Sequence, residues 1–273
     1  MTLNRRIVFQ AFKYAVYAAL AVNVWVFFAE EHLAAVVEFP GGVPFASLTE
    51  AYAATIDTAA WLVLLLMFEL ETFVLDDEQF TPRLTRTLHG IRFFSYVFIV
   101  IAFVGYVEQL VFVYDVAPAA GLVDLCALDG DGWVFAVDFE EYVAITAATC
   151  AELSEATAYL QFGQLPAVVD AAGLPHIQYL AWADVINAAT WLLIVVILEI
   201  DVRLQERGRL EGAVLRISNA IKFLLYATLF VIAIYWTIDG DFVDSWDAYL
   251  WLVAFFFIEM NVLEWRHESL ASQ

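Results

Sequence analysis

The 273-residue chain is 63% hydrophobic and 16% aromatic, with a mean hydropathy of +0.76, far outside the range of soluble globular domains. Its 33 acids against 12 bases give a net charge of −21, so the basic footprint that nucleic-acid binding needs is missing. These values predict an all-α integral membrane protein, a single membrane domain over residues 1–273.

A spanning helix needs about 20 mostly apolar residues. Six runs meet that length, roughly 8–29, 57–75, 93–114, 184–202, 217–238 and 247–265. Arg5 and Arg6 precede the first run, which is too long for a signal peptide and has no small-residue cleavage site after it. It is therefore expected to be retained as the first helix. Asn23 in its middle is expected to bond a neighbouring helix rather than a ligand. Glu30, Glu31 and His32 mark its outer end, and Pro40-Gly41-Gly42-Val43-Pro44 reads as a turn.

The second run carries a pattern that returns twice. Asp57, Trp61, Glu69 and Glu71 are matched by Asn187, Trp191, Glu199 and Asp201, and again by Asp247, Trp251, Glu259 and Asn261. The residues between each Trp and Glu are apolar, and a carboxylate in hydrocarbon costs several kcal/mol unless it is paired or used. Along a helix Asp57 and Glu69 lie about 18 Å apart, so an outer Asp57 leaves Glu69 inside a core of about 30 Å. Glu71 shares a face with Asp57, while Glu69 points about 160° away from Glu71.

Each of the other three runs opens with a base and a Tyr four residues on: Lys13 with Tyr17, Arg92 with Tyr96, Lys222 with Tyr226. The expected unit is a two-helix hairpin, base-Tyr helix first and Asp-Trp-Glu helix second. Three such hairpins, about 8–78, 88–205 and 215–266, predict six spans in a pseudo-threefold arrangement. The second hairpin carries a long insertion, about 115–183, expected to be a small outer helical element with an amphipathic helix from Phe139 to Phe162. Cys126 and Cys150 lie in it, and both a disulfide and two buried thiols remain open. Asp129, Asp131 and Glu140 sit at calcium-loop positions, but Trp133 and Val134 replace required residues, so calcium is a minor alternative and any metal is unknown.

All twelve bases fall in the N-terminus, the two short loops between hairpins, the C-terminus or the adjoining helix ends. The positive-inside rule then makes both termini cytoplasmic, in a cell inner membrane. Twelve acids share that side, and the remaining 21 face outward without a base among them. This asymmetry is either the same rule seen from outside or an acidic vestibule that attracts cations or docks a basic protein.

The four histidines are expected in loops or at helix ends, which provides no paired haem ligands, and no span has a central Lys for a Schiff base. No phosphate loop or nucleophile elbow is present either. Neither an enzyme nor a cofactor is expected. Lys13, Arg92 and Lys222 could form ion pairs with the acids of their own hairpins, and the three Trp residues read as an outer aromatic belt. Three bases cannot neutralise Glu69, Glu71, Glu199, Asp201 and Glu259 together. The surplus motivates a cation channel or a cation- or proton-coupled transporter in the lipid bilayer, with small cations as partners. The alternative is a non-catalytic scaffold or accessory subunit of a membrane complex, gripping a protein partner through its acidic outer region.

Overall fold

A computed structural model describes residues 3–71, 75, 81–138, 141–154, 158–207 and 209–271, without the side chains of 3–6, 202, 205, 206 and 258–271. In chain order the elements are α1 (Leu3–Glu38), a 3-10 turn (Phe45–Ser47), α2 (Leu48–Ala51), α3 (Ala53–Glu69) and α4 (Pro82–Phe112). Then come β1 (Val116–Pro118), a 3-10 turn (Leu125–Leu128), β2 (Val134–Ala136), β3 (Tyr142–Ala144), α5 (Cys150–Leu153), β4 (Tyr159–Phe162) and β5 (Ala167–Asp170). The chain closes with α6 (Leu174–Glu206), α7 (Gly212–Asp239) and α8 (Phe242–Ala271).

The protein is mostly helical. Among the described residues four helical stretches are long and apolar enough to cross a membrane: Ile7–Glu38, Pro82–Phe112, Leu174–Asp201 and Gly212–Asp239. A fifth crossing results if the 3-10 turn, α2 and α3, bent by 78°, count as one broken span. α8 covers the sixth apolar run, but its side chains beyond Phe257 lie outside the described set. α1 runs past Glu30-Glu31-His32 to Glu38, because nothing interrupts a helix there until Pro40, which removes a donor and restricts the residue before it.

The chain falls into two compact units, residues 27–189 and residues 1–26 with 190–273. In the first, α2 and α3 pack on α4. Thr81 caps α4, its Oγ1 accepting from the Leu84 N–H at 3.3 Å ahead of Pro82, a favourable pairing of cap and first-turn proline. Gly105 of α4 is required by close approach: a Cβ there would stand 2.0 Å from the Thr49 carbonyl oxygen.

The insertion between α4 and α6 is not helical as expected. It is a five-stranded sheet in the order β1-β4-β5-β2-β3, antiparallel except where β2 pairs with β5. The Phe139–Phe162 stretch, whose residues 139, 140 and 155–157 lie outside the described set, contains β3, one turn of helix and β4. Thr149 shows why a long helix fails: its hydroxyl takes the Thr146 N–H (3.0 Å) and donates to the Ala144 carbonyl (2.7 Å), local bonds that compete with the helical ladder. Cys126 and Cys150 form a disulfide. It flanks a small core of Leu125, Ile145, Cys150, Tyr159 and Val168, with Trp133 and Phe135 against it.

In the second unit α7 packs on α8. Phe257 of α8 makes edge-to-face contacts with Phe9 and Phe12 of α1, at centroid distances of 5.1 and 5.6 Å, and Trp191 of α6 lies 4.5 Å from Phe255. α7 stops at Gly240, whose φ of +102° lets the chain leave the helix in a left-handed turn.

A core this small leans on its cross-link. Replacing both Cys126 and Cys150 by Ser should remove about 3 kcal/mol from the sheet. Hydrogen exchange of the β4 and β5 amides should rise sharply while the far-ultraviolet helical signal is kept.

Candidate functional site

The three motif copies can be followed residue by residue. In the first, Asp57, Trp61 and Glu69 are buried on α3. The helix then widens into a π-turn at Leu70–Glu71, with the Leu75 N–H donating to the Leu70 carbonyl at 3.0 Å. Glu69 is buried and Glu71 half-buried. Glu71 is paired with Arg92 of α4.

In the second copy Asn187 is half-buried and Trp191 buried. The expected phase holds here. Glu199 is exposed and pairs along its own helix with Arg203, at 2.9 Å. Asp201 turns inward, where it accepts from Lys222 Nζ (2.7 Å) and Ser218 Oγ (2.7 Å) of α7. In the third copy Asp247 accepts from Asn23 Nδ2 of α1 at 2.8 Å and from the Trp251 indole. Asn23 thus bonds a neighbouring helix, and the Asp-to-Trp spacing of four is a side-chain hydrogen bond along one helix face. The side chains of Glu259 and Asn261 lie outside the described set.

Two expectations change. Trp61, Trp191 and Trp251 are only 7%, 6% and 6% exposed; they are interior residues, not a lipid-facing belt. The observed ion pairs also do not stay within the expected hairpins. Arg92 takes Glu71 and Lys222 takes Asp201, 21 residues apart in both cases. The physical reason is connectivity. A motif helix and the base-bearing helix after it are joined by a short loop, which brings the acid at the end of one beside the base near the start of the next. Lys13 is fully buried on α1, its Nζ 5.1 Å from the Tyr14 ring centroid.

A second group of acids gathers at the break between α2 and α3. The Glu31 carboxylate accepts from the backbone N–H groups of Ala54 (2.7 Å) and Thr55 (3.0 Å) and from Thr55 Oγ1 (2.5 Å). It caps α3 from α1, where the unsatisfied donors and the helix dipole both favour an anion. Glu38, one face-repeat further along α1, accepts from Tyr142 Oη of β3 at 2.9 Å. Glu31, Glu38 and Glu50 line a small cavity with Ala34, Ala51, Gln109 and Phe112. Its roughly 10 Å³ of space for water centres is that of about one water. His32, inside α1, is 3.0 Å from Tyr52 Oη, and Phe28 stacks on both rings.

Among the described residues no group of three or more His, Cys, Asp or Glu side chains is arranged to hold a metal. At the calcium-like loop Asp129 accepts from the Ala147 N–H at 3.0 Å, so it serves the turn; Glu140 lies outside the described set. No protein family, curated protein or solved structure matches the chain. The residues themselves therefore carry the functional reading. The Glu31–Glu38 spacing of seven was visible in the sequence, but nothing there linked it to Glu50 or Glu108.

Burial ranks the ion pairs. Lys222 and Asp201 are 20% and 10% exposed, against 67% and 56% for Arg203 and Glu199. Removing one partner of a buried pair costs about 3–5 kcal/mol, whereas an exposed helical pair contributes about 0.3–0.5 kcal/mol. Lys222→Met should therefore lower the thermal unfolding temperature of the purified protein far more than Arg203→Met. Adding Asp201→Asn to Lys222→Met should recover much of the loss. Equal effects of the two single substitutions would contradict this ranking.

Proposed function

We propose that this chain is a non-catalytic scaffold or accessory subunit of a membrane complex. In this reading it has six spans, in which motif helices and base-bearing helices alternate, and an acidic outer sheet that meets a basic protein partner. The observation that carries the proposal is the matched use of two motif acids, Glu71 on Arg92 and Asp201 on Lys222. Acids committed to bases that hold consecutive helices together act as structural fasteners. Glu199 is exposed and paired with Arg203, which argues against three equivalent glutamates converging on one ion path. The outer sheet supports the partner: Asp124, Asp131, Glu141 and Glu152 are exposed, and no Lys or Arg occurs anywhere from residue 93 to residue 202. Such a field steers a basic surface toward it.

A cation- or proton-coupled transporter is the second reading. It is favoured by one observation, the acid-lined cavity beside a broken helix, since discontinuous helices border the sites of several transporter folds.

Two measurements separate them. On the scaffold reading, proteoliposomes containing the protein should pass cations no faster than protein-free vesicles. In native membranes it should migrate as a larger complex, released by Asp131→Lys with Glu152→Lys. Cation flux that falls when Glu69, Glu199 and Glu259 are changed to Gln would replace the scaffold with the transporter.

A further inference from the structure

The break between α2 and α3 is built differently on its two sides. The α3 side is fixed, because Glu31 satisfies three donors of its first turn. A single residue, Tyr52, separates α2 from α3. Before α2 the chain passes through Pro40–Pro44, with Gly42 at a φ of +88°, and Phe45 at the tip is 91% exposed. The 3-10 turn and α2 are thus a short arm between two bends, and Glu50 and Ala51 on it form one wall of the acid-lined cavity.

The arm packs on α4 and is tied to it by two side-chain hydrogen bonds. Gln109 Nε2 donates to the Glu50 carbonyl at 3.0 Å, and Thr49 Oγ1 donates to Glu108 Oε2 at a long 3.4 Å. Its backbone lies on Gly105, where no side chain would fit. Opposing these contacts is charge. Glu50 on the arm shares the cavity with Glu38 of α1 and follows Thr49, which bonds Glu108 of α4, so these acids repel one another when ionised. Glu30 and Glu31 on α1 add negative charge, and the remaining titratable neighbours, Tyr142 on Glu38 and His32 on Tyr52, are hydrogen-bond partners. No Lys or Arg occurs from residue 14 to 82 or from 93 to 202, so α2, α3, the sheet and the adjoining parts of α1 and α4 supply no fixed positive charge.

We propose that Phe45–Ala51 is a hinged lid over the acid-lined cavity, seated on Gly105 and sprung outward by the repulsion of Glu50 from Glu38 and Glu108. Neutralising either side of that repulsion closes the lid, and filling the seat props it open. This makes the lid responsive to protons and to screening by salt on the side where the acids lie. It holds whether the protein is a scaffold or a transporter.

Hydrogen exchange of the full-length, detergent-purified protein at one fixed pH tests the spring, read on peptides covering residues 44–53. Glu50→Gln should slow exchange there by about threefold, and Glu108→Gln should slow it by less, because Glu38 still repels Glu50. The double variant should be no slower than Glu50→Gln alone, because that substitution already removes the Glu50–Glu108 interaction. Glu152→Gln on the outer sheet should leave the segment unchanged. Gly105→Ala should speed exchange by about tenfold or more. Unchanged or faster exchange in Glu108→Gln, or additive slowing in the double variant, overturns the proposal. Since Glu108 is exposed and its Gln variant keeps an acceptor for Thr49, that variant decides the matter even where another fails to fold.

Discussion

The carboxylate held between helices is the interaction on which this structure depends. A chain with 33 acids and 12 bases that folds largely into apolar helices cannot leave buried charge uncompensated. It meets the constraint in two ways. Two bases are matched to acids 21 residues before them, Glu71 with Arg92 and Asp201 with Lys222. Where none exist, polar hydrogens substitute: backbone N–H groups and a threonine for Glu31, a phenol for Glu38, an amide and an indole for Asp247.

The two solutions have different consequences. An ion pair between consecutive helices fixes their register and commits both residues to structure, which is why the motif supports a scaffold better than a conduit. Capping by neutral donors leaves net negative charge in place. At the α2–α3 break acids of α1 and α2, Glu31, Glu38 and Glu50, surround one small cavity, with Glu108 of α4 bonded to the neighbouring Thr49.

How much of this was legible in the sequence depends on the range of the interaction. The helices run past the apolar stretches, α1 to Glu38 rather than about 29 and α4 from Pro82 rather than about 93, because caps and breakers such as Thr81-Pro82 and Pro40, not hydropathy, end a helix. The opposite faces of Glu199 and Asp201 followed from helical phase, and Glu69 and Glu71 likewise differ in environment, Glu69 buried on α3 and Glu71 paired with Arg92. The sheet was missed because Ala-, Glu- and Thr-rich segments read as helix, while strand pairing such as Tyr159 with Asp170 is non-local. Which helix a base would face was also non-local: Lys222 was within reach of two motif copies by sequence, and the short loop before α7 selected Asp201.

By itself, then, the sequence determined the mostly helical fold, the long apolar runs, the recurring Asp/Asn-Trp-Glu spacing and the surplus of acid over base, since these are properties of composition and spacing. Only the tertiary structure decided that the tryptophans are interior, that the ion pairs link successive helices across short loops, and that Glu31, Glu38, Glu50 and Glu108 meet at a bend. Each of these is a choice among partners distant in the chain, settled by which faces pack together once helices of fixed length are joined by loops of fixed reach.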